Sequence, residues 1–187
     1  MKNMITNYLS RASAVLSEQA SNLPEIKTFE IDCSKLKEFL KEDIRYSEEF
    51  KELFEKLMPI KAPCLYWYRV ISANTSDEIV KSFKDYKNHI ERDRNVPALS
   101  SEKVIDMESR ILYVGKFKHG IYGRVIQHLG CFSSPQTQGL QLYYWAKNIG
   151  LKLELNVLEF NPEMTDILPI AEFAVAKELH PLIGKHK

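Results

Sequence analysis

The segment that most constrains the fold of this chain is Ile111-Leu112-Tyr113-Val114-Gly115. Its aliphatic and aromatic residues predict a strand that ends in a glycine turn. Helical spacing then predicts a short helix over 121–129. A strand that passes almost directly into a helix brings one tyrosine hydroxyl and several basic side chains to one place. These side chains are Tyr113, Lys116, Lys118, Arg124 and His128.

The charge distribution around this segment points to a polyanion. The chain contains 25 acidic residues in 187, which would give about six in a window of 45. Residues 109–153 contain no Asp or Glu, although the whole chain carries a net charge of only +1. The same window contains six Lys or Arg residues and two His. A cationic segment of this kind is typical of a nucleic-acid-binding surface, and the alternative is a chance cluster of surface lysines.

The length and composition of the chain limit the kind of protein that it can be. Its length suffices for one substantial hydrophobic core, and no apolar run approaches the ~18 residues of a membrane span. Ser10, Arg11 and Ser13 interrupt the apolar residues at the N-terminus, which argues against a signal peptide. The three cysteines fit neither a disulfide framework nor a zinc ribbon, so we expect free thiols and a cytoplasmic, non-membrane protein.

Periodicity predicts an α/β (α+β) fold. Residues 1–60 are expected to be mostly helical, with Ser34 as an N-cap. Thr75 and Glu78 form a potential capping box that opens a later helix. A last helix is expected over about 165–179. We therefore expect a small, mostly antiparallel three-stranded sheet flanked by helices, with strands at 65–71, 110–117 and 152–160.

The order of the polar residues resembles the GIY-YIG nuclease family, which includes homing endonucleases, restriction enzymes and the incision subunit of excision repair. Tyr66 follows Pro63-Cys64-Leu65 at the first tyrosine position, and Tyr113-Val114-Gly115 matches the second motif. Arg124 and His128 are spaced by four, and Glu172 precedes Pro181 by nine. The resemblance implies a nuclease domain over 61–187, with a helical insertion at about 75–105.

The chain also departs from the family pattern. Cys64 replaces the usual glycine of the first motif, and the two motif tyrosines are 47 residues apart, a longer separation than is typical. Gly184 lies where the family often has an asparagine, and Lys185 is the candidate to replace that contact.

The candidate catalytic residues are Tyr66, Tyr113, Arg124, His128 and Glu172. A tyrosine, with pKa near ~10 in isolation, could orient the attacking water. Tyr68 competes with Tyr66 because residues two apart share one face of a strand. The arginine could neutralise charge on phosphorus, and His128 could bind a phosphate or relay a proton. The alternatives are core tyrosines and a solvated helix face.

Glu172 is the candidate metal ligand. Leu168, Val175 and Leu179 surround it at helical spacing, and a carboxylate in such a helix should be paired or metal-bound. The resemblance implies Mg²⁺ or Mn²⁺, and one carboxylate suits an ion that keeps most of its waters. The alternatives are an arginine partner in the core and a ligand role for Glu178 instead.

These observations predict a metal-dependent endonuclease that hydrolyses phosphodiester bonds in DNA, with Lys116, Lys118 and Lys147 on the nucleic acid. The alternatives are an inactive nucleic-acid-binding module and a protein-interaction domain that retains the fold. With one such site, a monomer is expected to nick DNA, and double-strand breaks would need a homodimer, with its contact on the apolar faces that contain Leu36, Phe39 and Leu53.

Overall fold

The computed structural model describes residues 1–36, 43–89, 108–131 and 139–184, except for the side chain of His89. They form an α+β fold with one antiparallel four-stranded sheet in the order β1-β4-β2-β3. The strands are β1 (Lys27–Asp32), β2 (Cys64–Val70), β3 (Ile111–Phe117) and β4 (Lys152–Glu159). The helices are α1 (Lys2–Ser21), α2 (Lys51–Leu57), α3 (Ser76–His89), α4 (Tyr122–Leu129), α5 (Leu142–Trp145) and α6 (Leu168–Leu179).

The prediction of three strands is wrong by one, because the N-terminal region supplies β1. This strand pairs with β4 along its whole length, for example Ile31 with Leu153. Phe29 and Ile31 alternate with Thr28 and Glu30, which is the period-two pattern of a half-buried strand. The N-terminal region therefore shares the sheet with the rest of the chain.

Two predictions in the N-terminal region require correction. Ser34 is not a helix N-cap: it lies in a short 3₁₀ turn, Cys33–Lys35, whose cap is Asp32. Leu36 and Leu53 are buried in the core, so the apolar face on which the dimer contact was predicted packs within the chain. Phe39 and the rest of 37–42 lie outside the described residues.

The predicted capping box is confirmed. The backbone N–H of Glu78 donates to Thr75 Oγ1 at 3.2 Å, and the N–H of Thr75 donates to Glu78 Oε2 at 2.9 Å. Two otherwise unpaired donors are thus satisfied at the start of α3. The helix accounts for the first part of the predicted insertion, and residues 90–107 lie outside the described ranges.

Helices cover both faces of the sheet. Tyr66 and Tyr68 of β2 point into the larger core beneath α2, α3, α4 and α5. Leu65 and Trp67 point to the opposite face, where they meet Leu168 and other apolar residues of α1 and α6. This division follows from the alternation of side chains along a strand. It decides which polar side chains of β2 and β3 can meet.

None of the helices within the described ranges is both long enough and apolar enough to cross a membrane.

Candidate functional site

Two tyrosines from neighbouring strands lie together over Gly115. Tyr66 of β2 pairs with Gly115 of β3, and Tyr68 pairs with Tyr113. A Cβ atom on Gly115 would lie 2.6 Å from Tyr66 Cζ and Oη and from Tyr113 Cε1. The strand β3 continues through Gly115 to Phe117, so the prediction that it ends in a glycine turn is wrong. The glycine is required because the two rings occupy the space that a side chain would need.

His128 lies behind this pair, and its hydrogen bonds define its tautomer. The backbone N–H of Leu140 donates to His128 Nδ1 at 3.1 Å, so that nitrogen carries no proton. In the neutral ring the proton is then on Nε2, which lies 2.8 Å from Tyr66 Oη. His128 therefore donates to the tyrosine oxygen. Its ring is fully buried, and both nitrogens are occupied, so it cannot bind a phosphate in this arrangement.

Arg124 joins the same tyrosine from the exposed end of α4. Its Nε donates to Tyr66 Oη at 3.1 Å, and its Nη1 donates to Gln127 Oε1 at 3.0 Å. A tyrosine oxygen has two lone pairs, so the arginine and the histidine fill the acceptor capacity of Tyr66.

Burial and the arginine charge set the protonation of this group. Burial raises the pKa of Tyr66 well above its ordinary value; nearby Tyr113 adds to this, and Arg124 opposes it. Burial also lowers the pKa of His128 far below its ordinary value, and the positive charge of Arg124 lowers it further. Burial alone would lower the pKa of the arginine, but the oxygens of Tyr66 and Tyr113 raise it on balance. At neutral pH the group therefore consists of two neutral rings and a guanidinium cation.

The two competing tyrosines of β2 differ in their hydroxyl contacts. Tyr66 and Tyr68 are both fully buried on the same face. The hydroxyl of Tyr66 has two partners, whereas the hydroxyl of Tyr68 has no hydrogen-bond partner among the described residues. Tyr113 and Arg124 are half-buried, so these two residues present the group to solvent. The buried pair of Tyr66 and His128 lies behind them.

Glu172 belongs to a second polar pair. It accepts a hydrogen bond from Lys116 Nζ, and the two form an ion pair with side chains 16% and 30% exposed respectively. Lys116 pairs in register with Leu65, whose side chain lies on the α6 side of the sheet. The lysine therefore projects from the face of β3 opposite to that of Tyr113. The alternative to a metal ion at Glu172 was an arginine partner in the core; the cation beside Glu172 is instead Lys116 of β3, in a partly exposed pair.

Around Glu172, a metal ion could be held only through the single carboxylate of Glu172 itself. The described residues contain no group of three or more His, Cys, Asp or Glu side chains that could bind an ion together. A magnesium ion that keeps most of its waters needs as few as one or two protein carboxylates. The half-buried carboxylate of Glu172 meets that requirement, but Lys116 occupies one of its oxygens.

The basic residues of the predicted cationic segment lie in several different environments. Lys118 is exposed on the turn after β3. Lys147 Nζ lies 5.1 Å from the ring centroid of Tyr143, a cation–π contact. Arg110 instead donates to the carbonyl oxygens of Asn74 at 2.7 Å and Val70 at 3.3 Å, so it closes a turn of the backbone.

Two contributors to the tyrosine group were not predicted from the sequence. Gln127 fixes the arginine through a side chain three residues along the same helix, a spacing that could have identified it. The Leu140 backbone N–H, which sets the histidine tautomer, leaves no signal in residue type because any residue except proline carries it. Lys185 lies outside the described residues.

No protein-family model, curated protein or solved structure matches this chain.

Proposed function

We propose that this chain is an endonuclease that hydrolyses phosphodiester bonds in DNA and is similar to the GIY-YIG nucleases. The observation that carries the proposal is the hydrogen-bonded group of Tyr66, Arg124 and His128 beside Tyr113. Packing alone does not require a guanidinium next to two tyrosine oxygens, since a buried charge is costly unless it is paired. An anion such as a phosphodiester would supply the missing negative charge.

The geometry suggests a division of roles. Tyr113 and Arg124 are the half-buried members, so they are the groups that a phosphodiester would meet. Tyr113 would orient the attacking water, and the guanidinium would stabilise the charge that develops on the phosphoryl oxygens. Tyr66 and His128 are positioning residues because they fix the guanidinium through its Nε atom. Glu172 lies with Lys116 on the opposite face of the sheet from Tyr113, so Mg²⁺ or Mn²⁺ at its carboxylate would supply Lewis-acid stabilisation of the leaving oxygen to a phosphodiester that passes around the edge strand β3.

A second candidate is a nucleic-acid-binding module without catalysis. Two observations favour it: Tyr66 and His128 are fully buried with their acceptor sites filled, and Lys116 pairs with the proposed metal ligand. In that case the same cations would grip phosphates, and affinity would fall steeply with salt.

Nicking of supercoiled plasmid with and without Mg²⁺ separates the two candidates. We expect cleavage by the wild-type chain and a loss of about 10²–10³ in rate for Arg124→Ala, with a smaller loss of DNA affinity. Tyr113→Phe should also reduce the rate strongly. Arg11→Ala and Tyr46→Phe, at exposed positions, are the matched controls.

Binding to DNA without any cleavage would support the binding module instead. An equal loss of rate and affinity in Arg124→Ala would make the arginine a binding residue rather than a catalytic one.

A further inference from the structure

We infer that the exposed apolar face of α1 is the surface through which two copies of this chain pair, with their α1 helices antiparallel. The inference goes beyond the proposed function and does not depend on it. Fourteen large apolar side chains are exposed in the described part of the chain, and eight of them lie within residues 1–26. Ile5, Leu9 and Leu16 are 51%, 60% and 43% exposed, and together with Ala12 they form what we call the α1 stripe.

The packing of α1 on its own chain leaves the α1 stripe exposed. Val15 and Gln19 are the buried residues of this helix. Gln19 Oε1 accepts a hydrogen bond from the backbone N–H of Asn161 at 2.9 Å, and Arg11 pairs with Glu163. Because each residue of an α-helix is rotated by about 100° from the one before, Val15 and Gln19 lie beside the stripe rather than on it.

The spacing of the α1 stripe is that of a seam between two helices. Its residues follow one another at intervals of four, three and four, the alternation by which helices pack side by side in a coiled coil. The positions that flank the seam are Thr6 and Ser13 on one side and Tyr8 and Val15 on the other. None of them is charged, so a second copy of the helix can lie along the stripe without like charges facing each other.

The ends of α1 favour the antiparallel arrangement. The first turn contains no acidic residue and the last turn contains no basic residue, so neither end of the helix dipole is compensated within α1. An antiparallel pair places the positive end of each helix beside the negative end of the other, whereas a parallel pair would place like ends together. In this arrangement Ile5 lies opposite Leu16 of the partner subunit, and Leu9 lies opposite the partner's Ala12. Lys2 then lies beside the last turn of the partner's helix, where a cation is favourable.

The charge content of α1 argues against a membrane surface as the partner. Helices that lie on membranes are rich in Lys and Arg on their polar face. The sequence of α1 contains only Lys2 and Arg11, and Arg11 pairs with Glu163. A second copy of the chain therefore fits the stripe better than a lipid surface does.

The size of the face predicts a reversible dimer. A helix of 20 residues is about 30 Å long and about 10–12 Å wide, so one face covers roughly 300 Å². Stable interfaces bury about 800 Å² on each partner. We therefore expect dimers that form and dissociate as the protein concentration changes.

Sedimentation velocity of the full chain at rising concentration tests the inference. The weight-average mass should rise from that of one chain toward that of two. Leu9→Glu places a carboxylate in the seam and should raise the dimer dissociation constant at least about tenfold. Met58→Glu makes the same change at a side chain that is 51% exposed outside α1, and should match wild type. Since Leu9 is exposed in the monomer, its variant should keep the thermal unfolding curve of wild type, which would show that it is folded.

A mixing experiment tests the antiparallel arrangement. Ile5→Lys and Leu16→Glu should each prevent dimer formation alone, because each places a charge in the apolar seam. An equimolar mixture of these two variants should form dimers again, since the introduced charges have opposite signs and face each other. A mixture of Ile5→Lys with Ile5→Glu should stay monomeric, although it would recover in a parallel pair.

Three results would overturn the inference. One is a single-chain mass at every concentration, and another is a dimer that Leu9→Glu leaves unchanged. Flotation of the chain with anionic phospholipid vesicles, by a protein that stays monomeric, would assign α1 to a membrane instead. Recovery only in the mixture of Ile5→Lys with Ile5→Glu would overturn the antiparallel arrangement. None of these outcomes depends on cleavage of DNA, so failure of the proposed function leaves the test intact.

Discussion

The hydroxyl groups of Tyr66 and Tyr68 should differ sharply in their effect on stability. Both rings are fully buried on one face of β2, so Phe substitution preserves the packing in both cases. Tyr66→Phe leaves the Nε2–H of His128 and the Nε–H of Arg124 without their acceptor. A buried donor left unpaired costs about 1–3 kcal/mol, so this variant should lose roughly 2–4 kcal/mol after partial relaxation. Tyr68→Phe removes a hydroxyl that has no hydrogen-bond partner in the described part of the chain, and should be neutral or stabilising by up to ~1 kcal/mol.

Urea and thermal unfolding of the two variants measure this difference. For a domain of this size, a gap of 2 kcal/mol corresponds to a difference of at least about 4 °C in Tm. In a nicking assay, Tyr66→Phe should also lower the rate because Arg124 loses the contact that orients it. Equal stability of the two variants, or greater destabilisation by Tyr68→Phe, would refute the hydrogen-bond assignment on which the candidate site depends.

Two further results are expected. Gly115→Ala should displace both tyrosine rings and destabilise the fold by about 1–3 kcal/mol, because its Cβ would lie 2.6 Å from atoms of each ring. In the described part of the chain, a Cβ at Gly123 of α4 would have no atom within 4 Å beyond its chain neighbours and its own helix backbone, so Gly123→Ala should stabilise by up to ~1 kcal/mol. Urea unfolding of the two variants tests this difference, and similar losses of stability would contradict it. The lowered pKa of His128 means that the unfolded chain binds a proton below pH ~6.5 that the folded chain does not. The contribution of His128 to the free energy of unfolding is therefore full above that pH, and it falls by about 1.4 kcal/mol per pH unit as the pH decreases toward the folded pKa. A free energy of unfolding that does not change between pH 7.5 and 5.5 would show that this ring is accessible to protons.

Local sequence patterns were sufficient for the elements that depend on near neighbours. The strands over 64–70, 111–117 and 152–159 lie within one residue of their predicted ends, since aromatic and β-branched runs bounded by turn residues favour extended backbone. The capping box at Thr75 and Glu78 was also predicted, because three residues fix its geometry. The spacing of Arg124 and His128 likewise placed both on one helix.

The pairing of strands and the partners of polar side chains could be identified only from the tertiary structure. The strand β1 has the period-two pattern, but its pairing with β4 joins segments more than 100 residues apart, which no local pattern encodes. The same is true of Lys116 and Glu172, which are 56 residues apart in the chain.

The sequence by itself identified the residues proposed to carry the chemistry: tyrosines on two predicted strands, and an arginine and a histidine on one helix face. The tertiary structure alone decided that Tyr66 rather than Tyr68 bonds to His128 and Arg124, and that Tyr113 is the tyrosine that remains partly exposed. The physical reason is that alternation along a strand gives the two tyrosines of β2 the same face. The position of α4 above the sheet then determines which of the two hydroxyls is hydrogen-bonded to the side chains of that helix.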